Sequence, residues 1–162
     1  MSGYDLRKVF AETALGNYSS SPGAIYPALA RLEKAGLIEG EEDRAQSLRP
    51  RKLYRPSAEG RRVFREWLSQ DVTRDDVSRS FDELMLRFAF HSALGSSTAT
   101  RRFLERLAAE VESYVEELRR QRKLFPQGAP VHSRLALEAG IEQYRASARW
   151  ARKALGHFKE DE

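Results

Sequence analysis

Apolar positions in the first third of the chain recur at helical spacing. From Tyr4 to Ala14, Leu6, Val9, Phe10 and Thr13 fall on one side and Arg7, Lys8 and Glu12 on the other, predicting a short helix that Gly16 and Asn17 break. A second helix is punctuated by Ser21, Pro22 and Gly36. Serine can accept a hydrogen bond from a first-turn amide, proline fits the first helical position, and glycine sits where a helix ends. At 100° per residue, Ile25, Leu29, Leu32 and Gly36 form a narrow stripe, while Gly23, Pro27, Ala30, Arg31 and Lys34 gather opposite. Pro27 lacks the amide that would bond the Gly23 carbonyl, so a loosened or kinked first turn is expected. Leu37, Ile38 and Glu39 form a short extended run, Gly40 to Pro50 is polar, and Arg51 to Pro56 returns, which predicts a hairpin with a basic tip and a basic return strand. Ser57 caps a further helix with Val63, Phe64, Trp67 and Leu68 on one face. Helix, turn, helix, hairpin and helix is the order of a winged helix-turn-helix.

The rest of the chain follows a longer rhythm. Gln70 to Ser80 is polar and charged and reads as a connection between domains. Phe81, Leu84, Met85, Phe88 and Leu94 outline an apolar helix ended by Gly95. Ser97 or Thr98 starts a longer one, in which Leu104, Leu107, Val111, Tyr114, Val115, Leu118 and Phe125 recur at threes and fours and call for a facing helix. Pro126, Gly128 and Pro130 make the turn to a last helix carrying Leu137, Ile141, Tyr144, Ala148, Ala151, Leu155 and Phe158. One antiparallel partner does not cover that stripe fully, so the pair is expected to dimerise with its counterpart. The fold class expected is mainly α with a small β-hairpin: a winged helix-turn-helix domain over 1–70 and an α-helical dimerisation domain over 78–159.

Composition removes whole classes of function. The chain has 162 residues, enough for a real core in one domain or two, with 32% charged and 41% hydrophobic residues. No apolar run approaches the roughly 18 residues of a membrane span, and no secretory signal opens the chain, so a cytoplasmic protein with no membrane partner is expected. Cysteine is absent and His91, His132 and His157 lie far apart, so neither disulfides nor a metal site is expected. There is no glycine-rich phosphate loop, nucleophile elbow or carboxylate pair, and Glu41, Glu42 and Asp43 read as a solvated turn. No enzyme and no cofactor are expected. The net charge of +4 is unevenly placed: Arg44, Arg49, Arg51, Lys52, Arg55, Arg61, Arg62 and Arg65 are opposed only by Glu59 in that window. The helix taken alone reads first as an ordinary amphipathic surface helix, and its small, basic face beside such a patch leaves nucleic acid as the other reading.

Three spaced blocks carry a resemblance to a known family. Ser2, Gly3, Tyr4, Asp5 and Leu6 resemble the opening of the second helix of the PadR-like transcriptional regulators. Gly23, Ala24, Ile25, Tyr26, Pro27, Ala28, Leu29, Arg31, Leu32, Glu33, Gly36, Leu37 and Ile38 resemble its recognition helix. Arg51, Lys52, Tyr54, Ser57, Glu59 and Gly60 resemble the return strand of the wing and its exit. Leu137, Gly140, Ile141 and Trp150 are similar to the longer C-terminal domain of the part of the family that includes virulence activators. That domain dimerises in the family, and in some members the dimer interior binds a small effector, for which Phe88, Tyr114, Tyr144 and Trp150 are the candidate lining. Two departures stand out. Pro56 is expected to end the return strand early. The family motif normally follows a whole first helix, whereas this chain begins almost at the motif. Either the recorded start is late or the helix is missing, and then Leu6, Val9 and Phe10 lose a partner worth about 1.5 to 3 kcal/mol per fully buried side chain.

The resemblance implies a homodimeric regulator, expected to be a repressor, whose recognition helices enter successive major grooves of a palindromic double-stranded operator. Tyr26, Arg31 and Lys34 are expected to face the bases, beside the small surface of Gly23 and Pro27. Ser20, Ser21 and the amides near Gly23 would hold phosphate, and Arg49, Arg51 and Lys52 would reach backbone or minor groove. The alternative is a winged-helix protein-interaction module that dimerises without binding DNA, which salt-dependent duplex binding would separate from the first.

Overall fold

The computed structural model describes residues 1–12, 21–43 and 51–158. The chain divides into two compact units, Met1–Trp67 and Leu68–Glu162. Among the described residues no helix is long and apolar enough to cross a membrane.

The first unit runs α1 (Gly3–Glu12), α2 (Pro22–Lys34), β1 (Ile38–Asp43), β2 (Arg51–Pro56) and α3 (Ala58–Leu68), all but the last residue of which belongs to it. The start of α1 is closed reciprocally: the Asp5 amide donates to Ser2 Oγ at 3.2 Å and the Ser2 amide to Asp5 Oδ2 at 2.8 Å. The Ser2 amide foremost, and next the Ser2 hydroxyl, which also donates to Asp5 Oδ2 at 2.9 Å, hold the Asp5 carboxyl below its usual range. The expected break at Gly16 and Asn17 lies outside the described residues. At α2 the predicted punctuation holds, with Ser21 Oγ accepting from the Ala24 amide at 3.2 Å and Pro22 in the first turn. Gly36 adopts φ 71°, and the Leu37 amide reaches back to the Leu32 carbonyl at 2.9 Å, closing the helix with a left-handed glycine cap.

The helix assignment runs continuously through Pro27, which forgoes the one bond to the Gly23 carbonyl on an exposed turn. One expectation for α2 is corrected: the buried stripe is shorter than its spacing implies, with Ile25 and Leu29 buried and Leu32 40% exposed. Leu6, Val9 and Phe10 of α1 are only half-buried.

The hairpin is longer than expected on its first side. Gly40 to Asp43 continue β1 instead of starting a loop, paired from Ile38↔Pro56 to Asp43↔Arg51, since ladder hydrogen bonds come from the backbone and opposite charges face each other at Glu42↔Lys52 and Asp43↔Arg51. Pro56 is the last residue of β2. The far edge of β2 is also occupied: the Tyr54 amide donates to the Met1 carbonyl at 2.8 Å, and Ser2 forms a bridge with Leu53. Beyond β2 the buried Ser57 gathers several segments. Its Oγ donates to the Gly36 carbonyl at 2.6 Å and accepts from the Gly60 amide at 2.9 Å, and its own amide donates to the Leu37 carbonyl at 3.0 Å.

The second unit holds α4 (Arg74–Arg79), α5 (Phe81–Phe90), a 3-10 turn over His91–Leu94, α6 (Ser97–Lys123) and α7 (Val131–Leu155). Helices α6 and α7 are antiparallel neighbours. Leu104, Leu107, Ala108 and Val111 of α6 meet Ala148, Ala151 and Ala154 of α7 in the main core, and Val115 and Leu118 meet Ile141 further along. The stretch read as a connection contributes a helix instead. Thr73 and Asp76 form a capping box, and Val72 and Val77 are fully buried in the same core. The expectation that the long stripe exceeds what one chain can cover is thereby corrected: Leu104, Leu107, Val111, Val115 and Leu118 are all buried within this chain, because α4 supplies a further covering element.

A Cβ built on Gly60 would overlap the Leu37 carbonyl oxygen. Gly60→Ala therefore forces β1 away from α3 and should destabilise the first unit by about 1 to 3 kcal/mol. Amide exchange in the intact chain should show lost protection over β1, β2 and α3, with α6 and α7 unchanged. Equal protection throughout would show that the close approach is relieved at no cost.

Candidate nucleic-acid interface

The face of α2 opposite Ile25 and Leu29 is exposed at every predicted position: Gly23, Tyr26, Pro27, Ala30, Arg31 and Lys34. Burying two large residues on one side fixes the helix, so the other side is held at a set height. Gly23 has no heavy atom within 4 Å of where a Cβ would stand, which leaves the first turn of the helix open to close approach by a backbone. Ser21 Oγ already caps the Ala24 amide. Ser20 lies outside the described residues. Tyr26 is 47% exposed, and its ring edge lies against Gly3, where a Cβ would come within 2.7 Å of Cε1. The start of α1 thus props the ring, and Gly3 is the residue that makes room for it. Arg31 and Lys34 form no ion pair among the described residues and are exposed.

The wing is less freely basic than its sequence. Lys52 Nζ donates to Glu33 Oε2 at 2.7 Å, so a wing cation is tied back to α2. That hydrogen bond holds the Lys52 ammonium above its ordinary value. Gly40 makes the crossing feasible: a Cβ there would overlap Lys52 Cε and stand 2.6 Å from Glu33 Oε1. Arg51 is exposed, opposite Asp43 in the ladder and near enough to Asp5 to help stabilise its carboxylate. Arg49 lies outside the described residues.

The expectation that only Glu59 opposes this basic window is corrected. Arg55 pairs with Glu39 at 3.0 Å and Arg62 with both Glu59 and Glu66, while Arg61 donates to the Pro56 carbonyl at 2.7 Å. Glu33 and Glu39 come from earlier in the chain and meet the window only through strand pairing and helix packing. Sequence reading passed over Glu33, Gly40 and the Met1–Ser2 edge. A glycine inside a strand is the one visible signal among them, since it marks a close approach.

The four aromatics proposed for an effector divide into two pairs in the second unit. Tyr114 and Tyr144 meet edge to face at 4.7 Å, and Phe88 and Trp150 at 5.1 Å. Arg74 lies 3.6 Å over the Tyr114 ring and bonds Glu117, so this pair anchors α4 to the α6–α7 hairpin. Phe88 also stacks on Phe103 at 6.3 Å. None of the four lines either of the two larger clefts described in this unit.

Comparison with known proteins follows the same division. Residues 1–66 match the model of the transcriptional regulator PadR-like family, and residues 82–159 match that of the virulence activator alpha C-terminal domain. No curated protein matches the chain. Among solved structures, similar ones include Bacillus subtilis PadR in complex with operator DNA, at 22% identity over 98% of this chain and 90% of that one, with a TM-score of 0.43. A PadR-like transcriptional regulator from Bacillus cereus shows 26% identity over 98% of this chain and 88% of that one, with a TM-score of 0.44. Bacillus subtilis PadR in complex with p-coumaric acid shows 22% identity over 99% of this chain and 89% of that one, with a TM-score of 0.42.

The Lys52–Glu33 pair yields a test of the wing. Glu33→Gln removes a negative charge beside the exposed face of α2 and releases Lys52, so affinity for any duplex should rise about two- to fivefold at low salt. The slope of log affinity against log salt should steepen by about one. Unchanged affinity and slope in fluorescence anisotropy would show that Lys52 does not reach DNA.

Proposed function

The chain belongs to the PadR-like family of transcriptional regulators, and from that premise we propose that it represses transcription as a cytoplasmic homodimer, each copy laying α2 in a major groove of a palindromic operator. The observation that carries this reading is the exposed face of α2, small at Gly23 and Pro27 and cationic at Arg31 and Lys34, set on the buried Ile25 and Leu29. A guanidinium on a fixed helix can pair bidentately with a guanine, whereas cations on a two-stranded wing mainly neutralise phosphate. Arg31 is the base reader in this scheme, with Tyr26 and Lys34 beside it. Ser20, Ser21 and the Gly23 amide hold a phosphate at the helix start, and Arg49, Arg51 and Lys52 meet the flanking backbone or minor groove.

Homodimer formation is supported by apolar side chains that the helical unit leaves uncovered. Leu124 is 82% exposed, Val131 48% and Leu135 56%, all near the turn between α6 and α7. The buried α6 stripe is occupied within the chain, so the proposed contact uses these exposed residues instead.

A mobility-shift series on DNA upstream of its own gene, run at several salt concentrations, tests DNA binding. Arg31→Ala should cost about 1 to 3 kcal/mol on the operator and far less on random duplex. Arg51→Ala should weaken both DNAs about equally and reduce the salt slope by roughly one. Binding that is absent, or insensitive to salt, would favour a winged-helix interaction module instead.

Assembly is read separately by light scattering. The intact chain should have twice the monomer mass, and Leu124→Lys combined with Leu135→Lys should shift it to monomer. A dimer that survives both substitutions would place the interface elsewhere.

A further inference from the structure

Gly3 is a glycine that its backbone does not require. It is buried at the first position of α1, and among the described residues a positive φ is found only at Gly36 and Gly95. An alanine could adopt the same backbone and is the better helix former, so local propensity argues against glycine there. Space argues for it. A Cβ on Gly3 would stand 2.7 Å from Tyr26 Cε1, 3.3 Å from Tyr26 Cδ1 and 3.3 Å from Leu29 Cδ1. One edge of the Tyr26 ring therefore rests against the Gly3 α-carbon, beside the buried Leu29, while the residue as a whole stays 47% exposed. An exposed tyrosine on a helix ordinarily exchanges among staggered rotamers; this one has a seat.

The seat is fastened to the hairpin. Ser2, itself buried, donates from both its amide and its hydroxyl to Asp5 Oδ2, at 2.8 and 2.9 Å, and forms a bridge with Leu53 of β2. The Tyr54 amide holds the Met1 carbonyl at 2.8 Å. Gly3 thus follows two residues paired along β2 and opens a helix whose first turn is closed by Ser2 and Asp5, which leaves its α-carbon little freedom to retreat from the ring. Strand β2 also carries Arg51 and Lys52, so wing and ring take their places from one short segment. Gly3 itself is buried and has no side chain to offer a duplex.

We propose that Gly3 is a specificity-positioning residue: it holds the Tyr26 ring in one orientation on α2, so that the ring meets a base edge already placed, with little rotamer freedom left to lose on binding. This role rests on the regulator reading above, and it places part of base discrimination in a residue that touches no DNA. Phosphate contacts tolerate a wandering side chain and base contacts do not, so the effect of losing the seat belongs to the operator alone.

The test measures binding of the full chain to the operator found upstream of its own gene and to a scrambled duplex of the same composition, by fluorescence anisotropy across salt concentrations. Gly3→Ala should weaken operator binding about three- to tenfold and scrambled-duplex binding less than about twofold, with the salt slope unchanged because no cation is lost. A general loss of folding would lower both in proportion. In a Tyr26→Ala chain, which has already lost the ring, adding Gly3→Ala should change neither affinity by more than about twofold. If Gly3→Ala alone fails to fold, Asp5→Ala, which loosens the seat without touching the ring, takes its place and should reduce the operator-to-scrambled ratio about two- to threefold. Without DNA, nuclear Overhauser contacts should join the Tyr26 ring protons to the Gly3 α-protons in the unaltered chain. A ratio left intact by Gly3→Ala, or by Asp5→Ala in its place, a Gly3→Ala loss of the same size in the Tyr26→Ala background, or the absence of that proton contact would each overturn the proposal. Those results leave the regulator reading standing, whereas an unaltered chain that prefers no upstream duplex to its scrambled counterpart removes both.

Discussion

The first unit depends on one buried hydroxyl. Ser57 Oγ donates to the carbonyl of Gly36 at the end of α2 and accepts from the amide of Gly60 at the start of α3, while the Ser57 amide holds the Leu37 carbonyl at the entry to β1. The end of α2, the hairpin and α3 therefore meet at a single residue. The meeting is close enough that Gly60 must lack a side chain, because its α-carbon faces the Leu37 carbonyl directly. Hydrogen bonds of this kind contribute about 1 kcal/mol each when made, and more is lost when a buried partner is left unpaired. The consequence for function is angular: the tilt of α2 relative to the wing is set here, at the opposite end of the helix from Ser21 and Gly23.

Charge in this unit is distributed by pairing more than by abundance. Lys52 is held by Glu33, Arg55 by Glu39, and Arg62 by Glu59 and Glu66, all on exposed surfaces where each pair is worth little to stability. Their effect is to mute the field of a segment that looks strongly basic in sequence and to leave Arg31 and Lys34 of α2 without ion pairs among the described residues. In the binding mode proposed above, a wing whose lysine is lent to α2 would contribute less blind attraction to any duplex, leaving a larger share of recognition to the α2 face.

In the second unit the short helix α4 has an influence out of proportion to its length. Val72 and Val77 close the core over α6, and Arg74, stacked on Tyr114 and bonded to Glu117, clamps the helix in place. This arrangement turns two of the aromatics that resembled a ligand cage into packing. Among the described residues, one Arg74 terminal nitrogen, the Arg87 Nε and the His91 ring nitrogens are buried without a hydrogen-bond partner.

The sequence by itself determined the elements and their order. Helical spacing, the Ser21 and Pro22 start, the left-handed Gly36, the Gly95 stop and the turn at Pro126 to Pro130 are local signals, and each element they predict is present within the described residues. The basic and small face of α2 was equally legible, because position on a helix follows from spacing alone. What only the tertiary structure decided concerns residues far apart in the chain. Glu33 beside Lys52, Gly3 beneath Tyr26, Gly60 against Leu37 and Met1 along the edge of β2 have no trace in any local window. Nor could spacing show that Leu32 would stay exposed while the α6 stripe was covered, since periodicity tells which side of a helix is apolar and not what lies opposite it. Val72 and Val77 in a polar stretch were too few to register as a period, yet two fully buried valines were enough to make that stretch part of the core.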